Sequence, residues 1–196
     1  MSNAPNAANQ DELFDVVDPG DHVVGRASRR EVHARKLLHR AIHVLVHDPN
    51  GHLFLQRRSM AKDTFPGCWD SSCSGHVDAG EDYPRAAWRE LGEELGWHDT
   101  SLPLRPLLKL CASPETGFEF IQIFLLGPLS GPFDLNPEEI TGGRWIVPGE
   151  LDILVSEHPE QVAGSLRVLW SRHRAEVLKG IGMGCEGTRV PAPRQP

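Results

Sequence analysis

The stretch Gly75–Trp97, GHVDAGEDYPRAAWRELGEELGW, places carboxylates at fixed spacings beside one arginine, Arg89. Glu90 lies three residues before Glu93 and four before Glu94, so in a helix the three carboxylates share one face. Like charges at this spacing repel, and such a helix is costly unless a cation neutralises it. A hard divalent ion that prefers oxygen ligands, Mg²⁺ or Mn²⁺, is the natural partner.

The apolar residues of the same stretch predict a helix over residues 83–95. Ala87, Leu91 and Leu95 recur at helical spacing and would face a core. Gly96 is a typical helix stop. The alternative interpretation of the stretch is a solvated acidic helix whose spacing is incidental, and the number of fixed positions argues against it.

The full pattern, G-x5-E-x7-R-E-(aliphatic)-x-E-E-x-G-(apolar), resembles the signature of the Nudix hydrolases at every fixed position. These positions are Gly75, Glu81, Arg89, Glu90, Leu91, Glu93, Glu94, Gly96 and Trp97. The resemblance extends over about residues 12–153. It implies an α/β fold, an α/β/α sandwich with a mixed β-sheet, and metal-dependent hydrolysis of a diphosphate bond in a nucleoside diphosphate derivative or a similar small molecule.

The resemblance also implies roles for the acids. Glu90 and Glu94 would bind the metal together with the carbonyl oxygen of Gly75. Arg89 would orient the acids, and its guanidinium fork suits a pairing with Glu81. The implied cofactor is Mg²⁺, with Mn²⁺ as the alternative.

The sequence leaves two alternatives for the residue that acts as the general base. Glu93, on the motif helix, is one candidate. Some members of the family take the base from a distant loop, where Glu138 and Glu139 stand before the last strand. Ordinary exposed loop acids are the favoured interpretation of these two.

A basic cluster precedes the motif in an otherwise acidic chain. Arg57, Arg58 and Lys62 follow a predicted strand and suit the charge of a diphosphate, although a solvated basic turn is the alternative. We expect the three to bind the substrate. Neighbours on a strand point to opposite faces, so at least one of the two arginines must face the site.

The region around the cluster also resembles isopentenyl-diphosphate isomerase and the Nudix hydrolases most like it. The segments that carry this likeness are Leu38–Ala41, QRRS-x-x-K, PG-x-W and Ser-Gly-His. In the isomerase, histidines at places matching His39 and His76 bind a metal, a third lies near His33, and a glutamate matches Glu119. A second metal site formed by these three histidines is less favoured than surface or core histidines.

Two departures argue against isomerisation: the position of the cysteine, and the full set Glu90, Glu93 and Glu94, which isomerases of the best-known kind lack. The essential cysteine of the isomerase directly precedes the Gly-His pair, where this chain has Ser74. Cys73 lies one residue earlier, which on a strand turns it to the other face. Three functions therefore remain: a diphosphate hydrolase, which the complete set of acids favours, an isoprenoid diphosphate isomerase, and a noncatalytic Nudix binding module.

Away from the motif, the pattern predicts strands that surround the central helix. They are expected at residues 13–17, 22–24, 40–47, 52–56, 104–112, 118–127 and 143–147, with a short helix from Pro148 and a final helix over 159–179. Residues 11–181 are predicted to form one Nudix domain. Residues 1–10 are predicted to be disordered, and residues 182–196, rich in glycine and proline, to be a flexible tail.

The composition narrows the range of possible binding partners and of cellular compartments. The 196 residues carry a formal net charge of −7, which argues against binding nucleic acid polymers or anionic membranes. The four cysteines have no metal-ligand or disulfide spacing, and no signal sequence or membrane span is visible. The prediction is a cytoplasmic monomer or homodimer whose partner is a small diphosphate.

Overall fold

The computed structural model describes residues 11–183. The predictions for residues 1–10 and for the tail beyond Met183 lie outside these described residues. The strands are β1 (Leu13–Val17), β2 (Val23–Ser28), β3 (His39–Val46), β4 (Leu53–Arg58), β5 (Trp69–Asp70), β6 (Cys73–His76), β7 (Arg105–Leu110), β8 (Glu119–Leu126) and β9 (Ile140–Ile146). The helices are α1 (Arg29–Arg35), α2 (Tyr83–Leu95), α3 (Pro148–Glu157) and α4 (Gly164–Gly180).

The central sheet is mixed and has the order β6-β3-β8-β7. Strands β3 and β8 are parallel, whereas β6 and β7 run antiparallel to their neighbours. A second sheet has the order β5-β4-β9, and β1 pairs with β2 in a hairpin. Strand β6 is thus an edge strand of the central sheet.

Two hydrophobic cores lie on opposite faces of the central sheet. Along β3, Ala41 and Leu45 pack into the core that includes α3 and α4, whereas Ile42, Val44 and Val46 pack into the core that includes α2. This alternation follows from the two-residue period of a strand. Helices on both faces of a mixed sheet form the α/β/α sandwich, so the predicted fold class is confirmed.

Helix α2 has the predicted bounds, and its ends explain them. The side chain of Asp82 accepts a hydrogen bond from the backbone N–H of Arg85 and caps the helix at its start. Gly96 ends it in the left-handed conformation, at φ 62°, and its N–H bonds to the carbonyl of Gly92.

Several elements differ from the sequence prediction. The short strands β5 and β6 were not among the predicted strands. Helix α1 was not predicted either; Ser28 caps it by accepting from the backbone N–H of Glu31. The last helix begins at Gly164 rather than at residue 159, because Pro159–Gln161 forms a short 3₁₀ turn and Val162 is extended.

Candidate active site

Glu94 is the most enclosed acid of the motif, with 2% of its surface exposed. Its Oε2 accepts hydrogen bonds from Gln56 Nε2 at 3.1 Å and from the backbone N–H of Ser74 at 3.0 Å. Gln56 stands on β4 and Ser74 on β6, so both sheets hold this carboxylate. The thiol of Cys73, also on β6, is a further hydrogen-bond neighbour of this carboxylate.

Gly75 and Glu90 approach each other too closely for a side chain at position 75 while the Glu90 carboxylate keeps its place. A Cβ built on Gly75 would lie 2.0 Å from Glu90 Oε1. Contacts of this length do not occur, so glycine is required for the carboxylate of α2 to reach the backbone of β6. The approach brings the Gly75 main chain and the Glu90 carboxylate into one small volume.

Arg89 ties the acids together. Its Nε and Nη2 donate to the two oxygens of Glu81 at 3.3 and 3.1 Å, the bidentate pairing expected from sequence. Its Nη1 donates to Glu90 at 2.8 Å and to Glu93 at 3.1 Å. Nη2 also donates to the carbonyl of His76, which fixes α2 against β6.

Glu90 and Glu94 both have raised pKa values, and burial is the main cause. Burial raises the pKa of Glu90, and the charge of Glu94 raises it further. Burial also raises the pKa of Glu94, although the Lys62 ammonium opposes the shift. Two largely buried carboxylates beside the Gly75 main chain suit a hard divalent cation. The residues therefore fit Mg²⁺ or Mn²⁺.

The acids open onto a cavity of about 630 Å³ between the edge strand β6 and the end of β4. This volume suits a small molecule. The three acids of α2 lie on its wall together with six cations, Arg29, Arg30, Lys36, Arg58, Lys62 and Arg89. The cavity thus combines a candidate cation site with groups that attract an anion.

The three predicted phosphate-binding cations are placed differently. Arg58 and Lys62 line the cavity, where Arg58 pairs with Asp70 at 3.0 Å and Lys62 pairs with Glu139. Arg57 is absent from the wall: its Nε donates to the carbonyl of Gly67, and its guanidinium lies over the ring of Trp69. The geometry does not support a contact between Arg57 and substrate, because neighbours on β4 point to opposite faces.

The candidate general bases differ in whether they line the cavity. Glu93 lines the cavity and bonds to Arg89, and Glu139 lines it through its ion pair with Lys62. Glu138 is exposed and absent from the wall. Of the two loop acids, only Glu139 therefore remains a candidate beside Glu93.

The three histidines of the second candidate site meet in space. Nitrogen atoms of His33, His39 and His76 lie within 4.8 Å of one another, and Glu119 Oε1 lies 3.2 Å from His76 Nε2. Arg29 Nη1 lies 3.2 Å from His76 Nδ1, and a guanidinium can only donate, so Nδ1 holds a lone pair. Neutral His76 then carries its proton on Nε2. For Nε2 to bind a metal, the proton would have to move to Nδ1, and Arg29 would have to leave that nitrogen.

Cys73 and Ser74 face opposite sides of β6. Cys73 is fully buried in the α2 core, and burial raises the pKa of its thiol well above its usual range. Ser74 lines the cavity. The position facing the cavity therefore holds a hydroxyl group and no thiol.

We expect Cys73→Ser to leave kcat for diphosphate hydrolysis within about threefold of the wild-type value, because the buried thiol takes no part in attack by water. Steady-state kinetics would check this, with the exposed Cys111→Ser as the matched control. Loss of hydrolysis in a folded Cys73→Ser protein, with Cys111→Ser fully active, would return the thiol to the mechanism.

Comparisons with known proteins agree with this geometry. The NUDIX domain family matches residues 37–167. A Nudix hydrolase of Yersinia pestis is 33% identical over 171 residues, covering 87% of this chain and 92% of its own. An isopentenyl-diphosphate Delta-isomerase of Photorhabdus laumondii is 31% identical over 156 residues, covering 76% and 85%. The crystal structure of DR0079 from Deinococcus radiodurans has a TM-score of 0.73 at 30% identity and covers 82% of this chain and 98% of that one.

The fold and the assembled acids define a hydrolase of phosphoric anhydride bonds. The chain belongs to the NUDIX domain family and is a pyrophosphohydrolase of the Nudix type, in the part of the family that includes relatives named as isopentenyl-diphosphate isomerases. Among residues 11–183, no helix is long and apolar enough to cross a membrane.

Sequence reasoning missed part of the cavity wall. Arg29 and Arg30 lie on α1, whose start is marked by the pattern Ser28-x-x-Glu31, a capping signal readable from the sequence. His43 and Asp70 also line the cavity. No local pattern marks them, because strand pairing alone brings them to the site.

Proposed function

We propose that this protein hydrolyses the diphosphate bond of a nucleoside diphosphate derivative or similar small molecule in a reaction that requires Mg²⁺, with Mn²⁺ as a substitute. The observation that carries the proposal is the buried pair Glu90 and Glu94 beside the Gly75 main chain. When bound, the cation would neutralise phosphate charge and favour attack by water. Residues Gly75, Glu90 and Glu94 would hold it.

The side chains around the acid pair have distinct proposed roles. Arg89 and Glu81 form the ion pair that holds the acids of α2 in position. Glu93, more than half exposed and on the cavity wall, is the proposed base that takes a proton from water, with Glu139 as the alternative. Arg58 and Lys62, which line the same cavity, are proposed to bind the phosphates.

A substrate panel tests the function. Purified protein with Mg²⁺ is incubated with dinucleoside polyphosphates, nucleotide sugars, ADP-ribose and isopentenyl diphosphate, and the products are separated by chromatography. Cleavage between phosphorus atoms supports the proposal. Conversion of isopentenyl diphosphate to its allylic isomer would establish the isomerase alternative, and binding without any turnover would establish the noncatalytic one.

We expect Lys62→Ala to raise KM by about tenfold and to lower kcat less. Burial lowers the pKa of Lys62, although nearby Glu94 raises it in part, and removal of the ammonium takes one cation from the phosphate-binding wall. Kinetics on the best substrate would measure the split. Arg57→Ala is the matched control and should leave KM unchanged. An unchanged KM in a Lys62→Ala and Arg58→Ala double variant would show that the metal ion alone binds the phosphates.

The proposal takes the protein to be a cytoplasmic monomer or homodimer. Size-exclusion chromatography with light scattering would determine the oligomeric state.

A further inference from the structure

His43 is a buried histidine of the cavity wall that the proposed hydrolysis does not use. It lies on β3 with 5% of its surface exposed, directly opposite Ser74 on β6. Both residues line the cavity, and so does Asp70. Ile42 and Val44, the neighbours of His43 on β3, face α2, so the His43 side chain points to the opposite face of the central sheet.

Neighbouring groups determine which nitrogen of His43 carries the proton. Nδ1 lies 2.6 Å from Ser71 Oγ, and that hydroxyl lies 3.4 Å from the carbonyl of Cys73. If Nδ1–H donates to Ser71 and Ser71 donates to Cys73, every hydrogen in the chain is used. Asp70 Oδ1, 3.8 Å from Nδ1, favours a proton there. Nε2 is then the nitrogen left for the cavity, with its lone pair free to accept.

The imidazole is neutral at neutral pH. Burial lowers the pKa of His43, and the charge of Arg58 adds to this shift, although Asp70 and Glu119 oppose it. Asp70 is itself paired with Arg58 at 3.0 Å. His43 and Ser74 therefore add a neutral acceptor and a hydroxyl group to this wall, beside the ion pair of Arg58 and Asp70.

We infer that His43 accepts a hydrogen bond from a hydroxyl group of the substrate and thereby selects diphosphates of sugars or ribosides over alkyl diphosphates. This inference rests on the proposed hydrolase function. An alkyl chain against Nε2 would remove water from the lone pair without replacing its hydrogen bond, which carries a free-energy cost. Sites built to bond a hydroxyl discriminate strongly against analogues that lack it.

Binding of two matched ligands tests the inference separately from turnover. Methylene-bridged analogues of ribose 5-diphosphate and pentyl diphosphate each have five carbons, and the ribose ligand adds hydroxyl groups and the oxygen of a furanose ring. Isothermal titration calorimetry with Mg²⁺ should give the wild-type protein at least about tenfold tighter binding of the ribose ligand. Hydrolysis of the two natural diphosphates, measured in parallel, reports on the proposed function alone.

Two variants isolate the acceptor. His43→Asn can keep the bond to Ser71 but has no acceptor at the Nε2 position, so we expect the ribose preference to fall by about tenfold. His43→Gln restores an acceptor near that position and should keep most of the preference. His47→Asn is the matched control, because His47 is also buried but lies outside the cavity wall, and it should leave the ratio unchanged.

Three results would overturn the inference. One is equal binding of the two ligands by the wild-type protein. The second is an equal loss of affinity for the ribose and pentyl ligands in folded His43→Asn protein. The third is a change in the ratio of the two affinities in His47→Asn that equals the change in His43→Asn. Failure of hydrolysis with the binding ratio intact would instead reject the proposed function. A melting curve for each variant shows that the proteins compared are folded.

Discussion

Glu94→Gln is expected to lower kcat at least about a hundredfold, and Glu90→Gln to do the same, because each removes a charge that stabilises the transition state. The amide has nearly the shape of the carboxylate. Its oxygen can still accept from Gln56 and Ser74, as Glu94 Oε2 does at 3.1 and 3.0 Å. The substitution therefore changes the charge of the site far more than its packing, and kcat at saturating Mg²⁺ measures the effect.

Stability separates a catalytic effect from a damaged fold. Each variant loses a repulsion between buried carboxylates, so its melting temperature without metal should stay equal to that of the wild-type protein or rise. Glu157→Gln, an exposed acid at the end of α3, is the control that should change neither quantity. Wild-type kcat in folded Glu90→Gln or Glu94→Gln protein would place the reaction elsewhere.

The sequence predicted helix α2 and its three acids well because they depend on local rules. Residues three and four apart share a helix face, Asp82 can cap the first turn and Gly96 can end the helix, wherever the helix packs. The apolar run of residues 40–47, which alternates at first and then becomes near-continuous, likewise predicted a buried strand. These features require no knowledge of distant partners.

The rest of the cavity depends on contacts between residues far apart in the chain. Gln56 reaches Glu94 across 38 residues, and Ser71 reaches His43 across 28. The exposure of Arg57 was not predictable. Side chains alternate between the two faces of β4, so Arg57 and Arg58 must point to opposite faces, but this rule does not decide which of them faces the cavity. The position of Arg29 against His76, 47 residues away, depends in the same way on packing of α1.

Removal of divalent metal is expected to abolish hydrolysis, leaving less than about 1% of the activity, since a diphosphate and two buried carboxylates repel one another without a cation. Protein dialysed against chelator should regain activity when Mg²⁺ or Mn²⁺ is added. Chelator already saturated with Mg²⁺ is the control and should have no effect. The assay follows product release from the best substrate of the panel.

The same prediction has a consequence that does not depend on turnover. A cation that binds only the folded protein raises the melting temperature, and the rise grows with its concentration. Mg²⁺ should therefore stabilise the wild-type protein in the absence of substrate, and stabilise Glu94→Gln much less. The histidine cluster provides a check on the location, because His39→Asn should leave the response to Mg²⁺ intact if Glu90 and Glu94 hold the ion. Full turnover in excess chelator, or an equal response to Mg²⁺ in wild-type and Glu94→Gln protein, would show that the acids of α2 serve another purpose.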